Sequence, residues 1–243
     1  MKTVKTSRHF PTRMHFSCKL KHKIPMKKYL FVFIAFFSSF LAFPKSFDWD
    51  CQFGLGLGAT FSRTRFSVAD DFGCGDAEAG GASLDFLNFD FRICEKKSSL
   101  SFMAHLEFGL YPSPHFEIGG VDLESKLSDS ALSRFSALFG VGYDFALGEK
   151  FNIVASGVLG LQRLDFEGDF KRGAEETFEF SSCEFALGAD VFAHCALGGR
   201  WGLFVAVTAT VCPGGTSEVE SNESSTKPGS FFVSPRLGVA FRF

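Results

Sequence analysis

His105 and Glu107 stand two residues apart in an alternating apolar–polar stretch, so a strand would carry both on one face. A histidine beside a carboxylate can orient a nucleophile or move a proton. No serine in a strained elbow motif accompanies the pair, so the chain is not read as an enzyme. Similar positions hold Asn88, Asp90, Arg92, Asp144, Gln162, Glu184, Asp190, His194, Arg236 and Arg242. Each sits on the weaker face of an otherwise apolar segment. Carboxylates and guanidiniums in such places either pair with one another or line a polar path, because an isolated buried charge costs several kcal/mol. The cysteine spacings match no zinc motif and include no C-x-x-C. No metal or cofactor is expected.

The elements that must hold these groups are strands. Residues 50–62 set Cys51, Phe53, Leu55, Leu57, Ala59 and Phe61 against Gln52, three glycines, Thr60 and Ser62. The same two-residue period recurs at about 81–93, 99–111, 133–147, 151–164, 178–194 and 200–211, and in a terminal strand ending at residue 243. Eight strands result, each close to the ~9–11 residues that a tilted strand needs to cross a bilayer. Their connections alternate. Residues 94–98, 148–150 and 195–199 are tight turns, whereas 63–80, 112–132, 165–177 and 212–229 are long. Transmembrane barrels join their strands by short periplasmic turns and longer extracellular loops. The expectation is an all-β, eight-stranded antiparallel up-and-down transmembrane β-barrel over residues 47–243, with both termini periplasmic.

The first 46 residues differ. Ten of the chain's 25 Lys and Arg lie there with none of its 27 acids, and an apolar run at 29–43 follows most of them. That run is short of the about 20 residues of a spanning helix, and the layout is that of a secretory signal peptide, with a start at Met26 an alternative. Removal of 1–46 leaves 15 basic against 27 acidic residues, a net charge of −12. Such a chain is a poor partner for nucleic acid.

The last residues carry a recognisable pattern. Gly238, Phe241 and Phe243 match Gly-x-x-aromatic-x-aromatic, the C-terminal assembly signal of outer-membrane barrels. The chain resembles the small eight-stranded outer-membrane barrels, including the OmpW, OmpX and OmpA-barrel families, with OmpW nearest by size. The resemblance implies a cell outer-membrane location, contact with outer-membrane lipid and recognition of the last strand by barrel-assembly machinery. It also implies an apolar exterior. An eight-stranded interior is just wide enough to be filled by side chains. Small residues and paired charges are expected there, with Asp90, Arg92, His105, Glu107, Asp144, Glu184, Asp190, Arg236 and Arg242 as a lumen network. The 34 Phe against three Tyr and two Trp point to phenylalanine at the rims, where Trp and Tyr usually sit.

Two pairings of cysteine suit this topology: Cys51 with Cys94, and Cys183 with Cys212, each at matching ends of neighbouring strands. Free thiols are the equal alternative. The long connections are acidic and rich in small residues, as at 69–78 and 216–225. Two functions follow. One is a narrow porin-like pore or conduit for small molecules, hydrophobic ones by analogy with OmpW. The other is a structural or adhesive surface protein whose acidic loops bind a host or envelope ligand.

Overall fold

The computed structural model describes residues 49–70, 73–95, 98–118, 121–122, 127–170, 177–213, 215–219 and 229–243. The expected leader lies outside them. The strands are β1 (Trp49–Asp70), β2 (Gly73–Glu95), β3 (Leu100–Tyr111), β4 (His115–Ile118), β5 (Val121–Asp122), β6 (Leu127–Ala146), β7 (Phe151–Phe170), β8 (Thr177–Gly198), β9 (Trp201–Cys212), β10 (Gly215–Val219) and β11 (Gly229–Arg242). Eight of them form staves. In order round the wall, β1, β2, β3, β6, β7, β8, β9 and β11 pair antiparallel, and β11 returns to β1. Closure is what a bilayer demands, since each unpaired backbone group in lipid costs several kcal/mol.

Alternation sets the faces. In β9, Trp201, Leu203, Val205 and Val207 are exposed while Gly202, Phe204, Ala206 and Thr208 are buried. Over the stretch of the staves nearer the short turns the exposed set is apolar, as in Leu57, Phe139, Leu161 and Leu237. Only a hydrocarbon solvent makes such an exterior favourable. At the end bearing the short turns, Trp49 and Phe243, aromatic rings cluster. Trp201 meets Phe241 at 4.9 Å, Phe241 meets Phe243 at 5.1 Å, and Tyr143 meets Phe145 at 4.9 Å. The tightest of these turns uses Gly198 (φ 146°) and Gly199 (φ 58°), conformations that other residues adopt only with strain.

The structure departs from the sequence reading in three ways. First, among the described residues strand continues into the long connections. β1 runs to Asp70 and β2 starts at Gly73, 22 and 23 residues respectively, so 63–80 is a tall hairpin rather than a loop. β7 reaches Phe170, and β10 occupies part of 212–229. Above the bilayer an outward face has no reason to be apolar, so the alternation that marks a strand fades while the ladder continues. β4 resumes the place of β3 beside β2 after Pro112-Ser113-Pro114, and β10 that of β9 beside β8 after Pro213. Prolines lack the ladder's donor, which accounts for the breaks.

Second, the interior is not only small and ionic, since Phe192, Phe204 and Phe232 are fully buried within it. Glycines make the room. Cβ atoms on Gly54, Gly56 and Gly238 would lie 3.0, 2.9 and 2.7 Å from atoms of the Phe204 ring. Third, of the two cysteine readings the structure follows the free thiols, with Cys51, Cys94, Cys183 and Cys212 unpaired. Cys51 stands opposite Ile93 and Cys94 opposite Asp50, so the two side chains leave opposite faces of the wall. Cys183 is likewise exposed while Cys212 is buried. Adjacent strands bring the backbones within range, but a disulfide also needs convergent Cβ vectors.

Candidate functional site

The lumen is built in layers, and strand parity decides what enters each one. Nearest the short turns, His194 Nδ1 lies 3.1 Å from Asn152 Oδ1, and Asn152 Nδ2 donates to Asp144 Oδ1 at 2.8 Å. Above them is a small apolar layer of Val154, Phe192, Phe204, Ala206 and Ala240, with Phe192 and Phe204 stacked at 5.0 Å.

The first ionic layer follows. Arg236 on β11 donates from Nε to Asp90 Oδ2 and from Nη2 to Asp90 Oδ1, both at 3.0 Å. The same Nη2 reaches Asp190 Oδ1 at 2.6 Å, and Nη1 donates to Thr208. Arg92 Nη2 holds the other oxygen of Asp190 at 2.6 Å, and its guanidinium lies over the Phe192 ring at 3.9 Å. A planar fork of donors suits this two-carboxylate bridge better than an ammonium would.

The second ionic layer centres on Arg134 of β6. Its Nη2 sits 2.5 Å from Glu107 Oε2 and 3.7 Å from Asp85 Oδ1. Thr60 completes it, donating to Asp85 Oδ2 at 2.7 Å and accepting from Arg134 at 2.6 Å. His105 joins the layers, with Nδ1 3.4 Å from Asp90 and Nε2 3.5 Å from Glu107. An imidazole faced by a carboxylate at each nitrogen can serve both only by donating from both. Around His105, four carboxylates (Asp85, Asp90, Glu107, Asp190) meet three guanidiniums (Arg92, Arg134, Arg236). All eight side chains are at most 2% exposed.

Toward the long-hairpin end the lumen turns apolar again. Tyr111, Phe116, Leu132, Leu164, Phe166 and Phe232 form the outer part of a cluster that also runs down β3, β6 and β7 through Met103, Leu138 and Val158. Phe116 of β4 stacks on Phe166 of β7 at 4.8 Å, closing its outer end.

Of the residues expected in the lumen network, Asp90, Arg92, His105, Glu107, Asp190 and Arg236 are brought together here. Asp144 is separate, at the short-turn end. Arg242 is half-buried there, with its backbone N–H bonded to Arg200 O. Glu184 is buried in the outer half, apart from both ionic layers. Asp85 and Arg134 were missed. Arg134 shares the parity of Ser136 and was legible. Asp85 was not, because β2 bulges between Asp85 and Leu87, leaving both Phe86 and Leu87 outside and turning Asp85 inward.

A closed cylinder of eight tilted, antiparallel staves with an apolar exterior and a side-chain-filled lumen defines a small outer-membrane β-barrel. Among solved structures, a major outer membrane protein of Thermus thermophilus is similar at 16% identity and TM-score 0.52, over 79% of this chain and 99% of that one. The outer membrane protein OprG of Pseudomonas aeruginosa is similar at 12% identity and TM-score 0.52, over 80% and 95%. No curated protein matches in sequence. The chain belongs to the family DUF2715, described as a domain of unknown function, whose model matches residues 35–243.

Proposed function

We propose that this barrel takes up small apolar molecules from outside the cell and releases them sideways into the membrane, while its ionic floor bars passage to the periplasm. In this reading the short turns and both termini are periplasmic, and Gly238, Phe241 and Phe243 present the last strand to the assembly machinery. The observation that carries it is the vertical order of the lumen: an outer apolar cluster, with Glu184 and its hydroxyl and amide neighbours beside it, standing on two desolvated layers of paired charge. Water and ions have no route through such a floor, and an apolar solute has no reason to enter it.

We take the side exit to be the seam between the first and last strands, at the level where Phe232 of the apolar cluster borders Thr60 and Ser234 of the second ionic layer. The β1–β11 ladder pairs Gly58 with Arg236 and Phe61 with Val233, skipping the rungs between. Pro235 falls in the gap and has no N–H to give. Refolded protein in planar bilayers is expected to show no steady ion conductance. Cells displaying it should take up a small apolar fluorophore faster than cells lacking it, and faster still with Phe166→Ala, which opens the ring stack. A steady aqueous conductance, or uptake equal to the control, would refute the proposal. The second reading, a surface scaffold, draws on β1, β2 and β8, which at 22 to 23 residues stand far above a bilayer. A scaffold transfers no fluorophore, so the same experiment separates the two.

A further inference from the structure

Glu184 is the buried acid that the ionic floor does not use. It is 1% exposed, on β8, above the second ionic layer. Its Oε1 accepts from Ser230 Oγ at 2.8 Å, and its Oε2 has no hydrogen-bond partner. Among the described residues it enters no ion pair. The three buried guanidiniums are committed elsewhere, Arg92 and Arg236 to Asp90 and Asp190, and Arg134 to Glu107 and Asp85. Neutral groups surround the carboxylate. Gln162, its cross-strand partner, donates to Thr210 Oγ1 at 2.8 Å. Ser230 also reaches Thr64 Oγ1 at 3.0 Å, and Cys212, Leu164, Ala186 and Phe232 belong to the outer apolar cluster.

A carboxylate removed from water needs either a proton of its own or a positive partner, and among the described residues no cation reaches this one. A cationic ligand would supply that partner. A hard metal ion is a poor fit. Calcium takes about six to eight oxygens, whereas the hydroxyls and amide here already bond one another. Among the described residues no three His, Cys, Asp or Glu converge. An ammonium asks for less, since three N–H donors can use one carboxylate and a neighbouring oxygen. Its hydrocarbon would rest in the surrounding apolar cluster.

We propose that the outer lumen binds small apolar amines in their protonated form, the ammonium on Glu184 and the hydrocarbon among the side chains around it. This rests on the reading of the outer lumen as an acceptor of apolar molecules, to which it adds a charge and a place. The test uses the full barrel in lipid nanodiscs with hexylammonium, hexan-1-ol and Na⁺ as probes, followed by amide chemical shifts of β8 and β11. The variant Glu184→Gln keeps the side chain's shape and its bond from Ser230, and heat-modifiable gel migration confirms that it folds. Hexylammonium should bind the wild type and lose about 10- to 100-fold in affinity with Glu184→Gln, as loss of a charged hydrogen bond implies. Hexan-1-ol should bind both proteins alike. If Glu184→Gln binds hexylammonium within twofold of wild type while hexan-1-ol still binds, the amine proposal is wrong and the apolar acceptor stands. If neither organic probe binds the wild type, the acceptor reading fails and takes this proposal with it. Shifts produced by Na⁺ alone and dependent on Glu184, with none from hexylammonium, overturn it in favour of an inorganic cation.

Discussion

Arg236 binds two carboxylates at once, so its removal does more than delete a contact. Arg236→Ala would leave Asp90 facing only Arg92 and His105, and Asp190 only Arg92 and Thr208, in a space with no water to take the charge. Breaking a buried pair from one side costs about 3–5 kcal/mol. Urea unfolding of the refolded barrel in lipid should show a loss of that order, and the double variant with Asp90→Asn should recover part of it. Outside the bilayer the accounting differs. Arg63 Nε lies 2.6 Å from Glu78 Oε1 on the tall β1–β2 hairpin, and this partner holds the Glu78 carboxyl below its ordinary value of 4.5. A depressed acid stabilises the fold above its unfolded value and loses that contribution as pH falls through the folded one. The pair is mostly solvated, so the effect is small. Amide exchange in this hairpin, corrected for intrinsic rates, should rise as pH drops below about 4.5, and Glu78→Gln should flatten that rise.

At the scale of elements, the seam between first and last strands has a gap of two rungs in its ladder. Thr60 and Ser234 bridge it by side chains, Oγ to Oγ at 2.6 Å, where the backbone ladder is missing. Pro235→Val restores a donor in a β-branched residue suited to an outward position. Hydrogen exchange should then slow at residues 59 and 60, and fluorophore uptake should fall toward the control rate. Unchanged uptake with slowed exchange would place the exit elsewhere. The strands that cross the bilayer were legible because their outer faces must be apolar: in β9 and β11 the alternation runs unbroken. The bulge at Phe86 and Leu87 was not, since two adjacent apolar residues look the same whether one or both face out. The hairpin above Arg63 was hidden for a different reason. There the wall stands in water, and nothing compels one face to differ from the other. Disulfide pairing failed at the same level, because closeness of strand ends was weighed without asking which face each cysteine left.

For the whole molecule, the class of fold was written in the terminal pattern and in the rhythm of short and long connections. The contents of the lumen were written less fully. Parity says which side chains enter, but not at what height they meet across the barrel, which depends on stave tilt. Thus Glu184 could be placed inside, yet its separation from Arg134 and Arg236 could be seen only with the wall built. Phe204 was similarly opaque, since its place depends on glycines contributed by two other strands.

That last arrangement has a bearing on how the molecule comes to exist. The ring of Phe204 rests on Gly54 and Gly56 from the beginning of the chain and on Gly238 from its close. The cylinder therefore cannot be sealed until its last strand has been made, and every earlier piece is a ribbon with greasy flanks and a raw border.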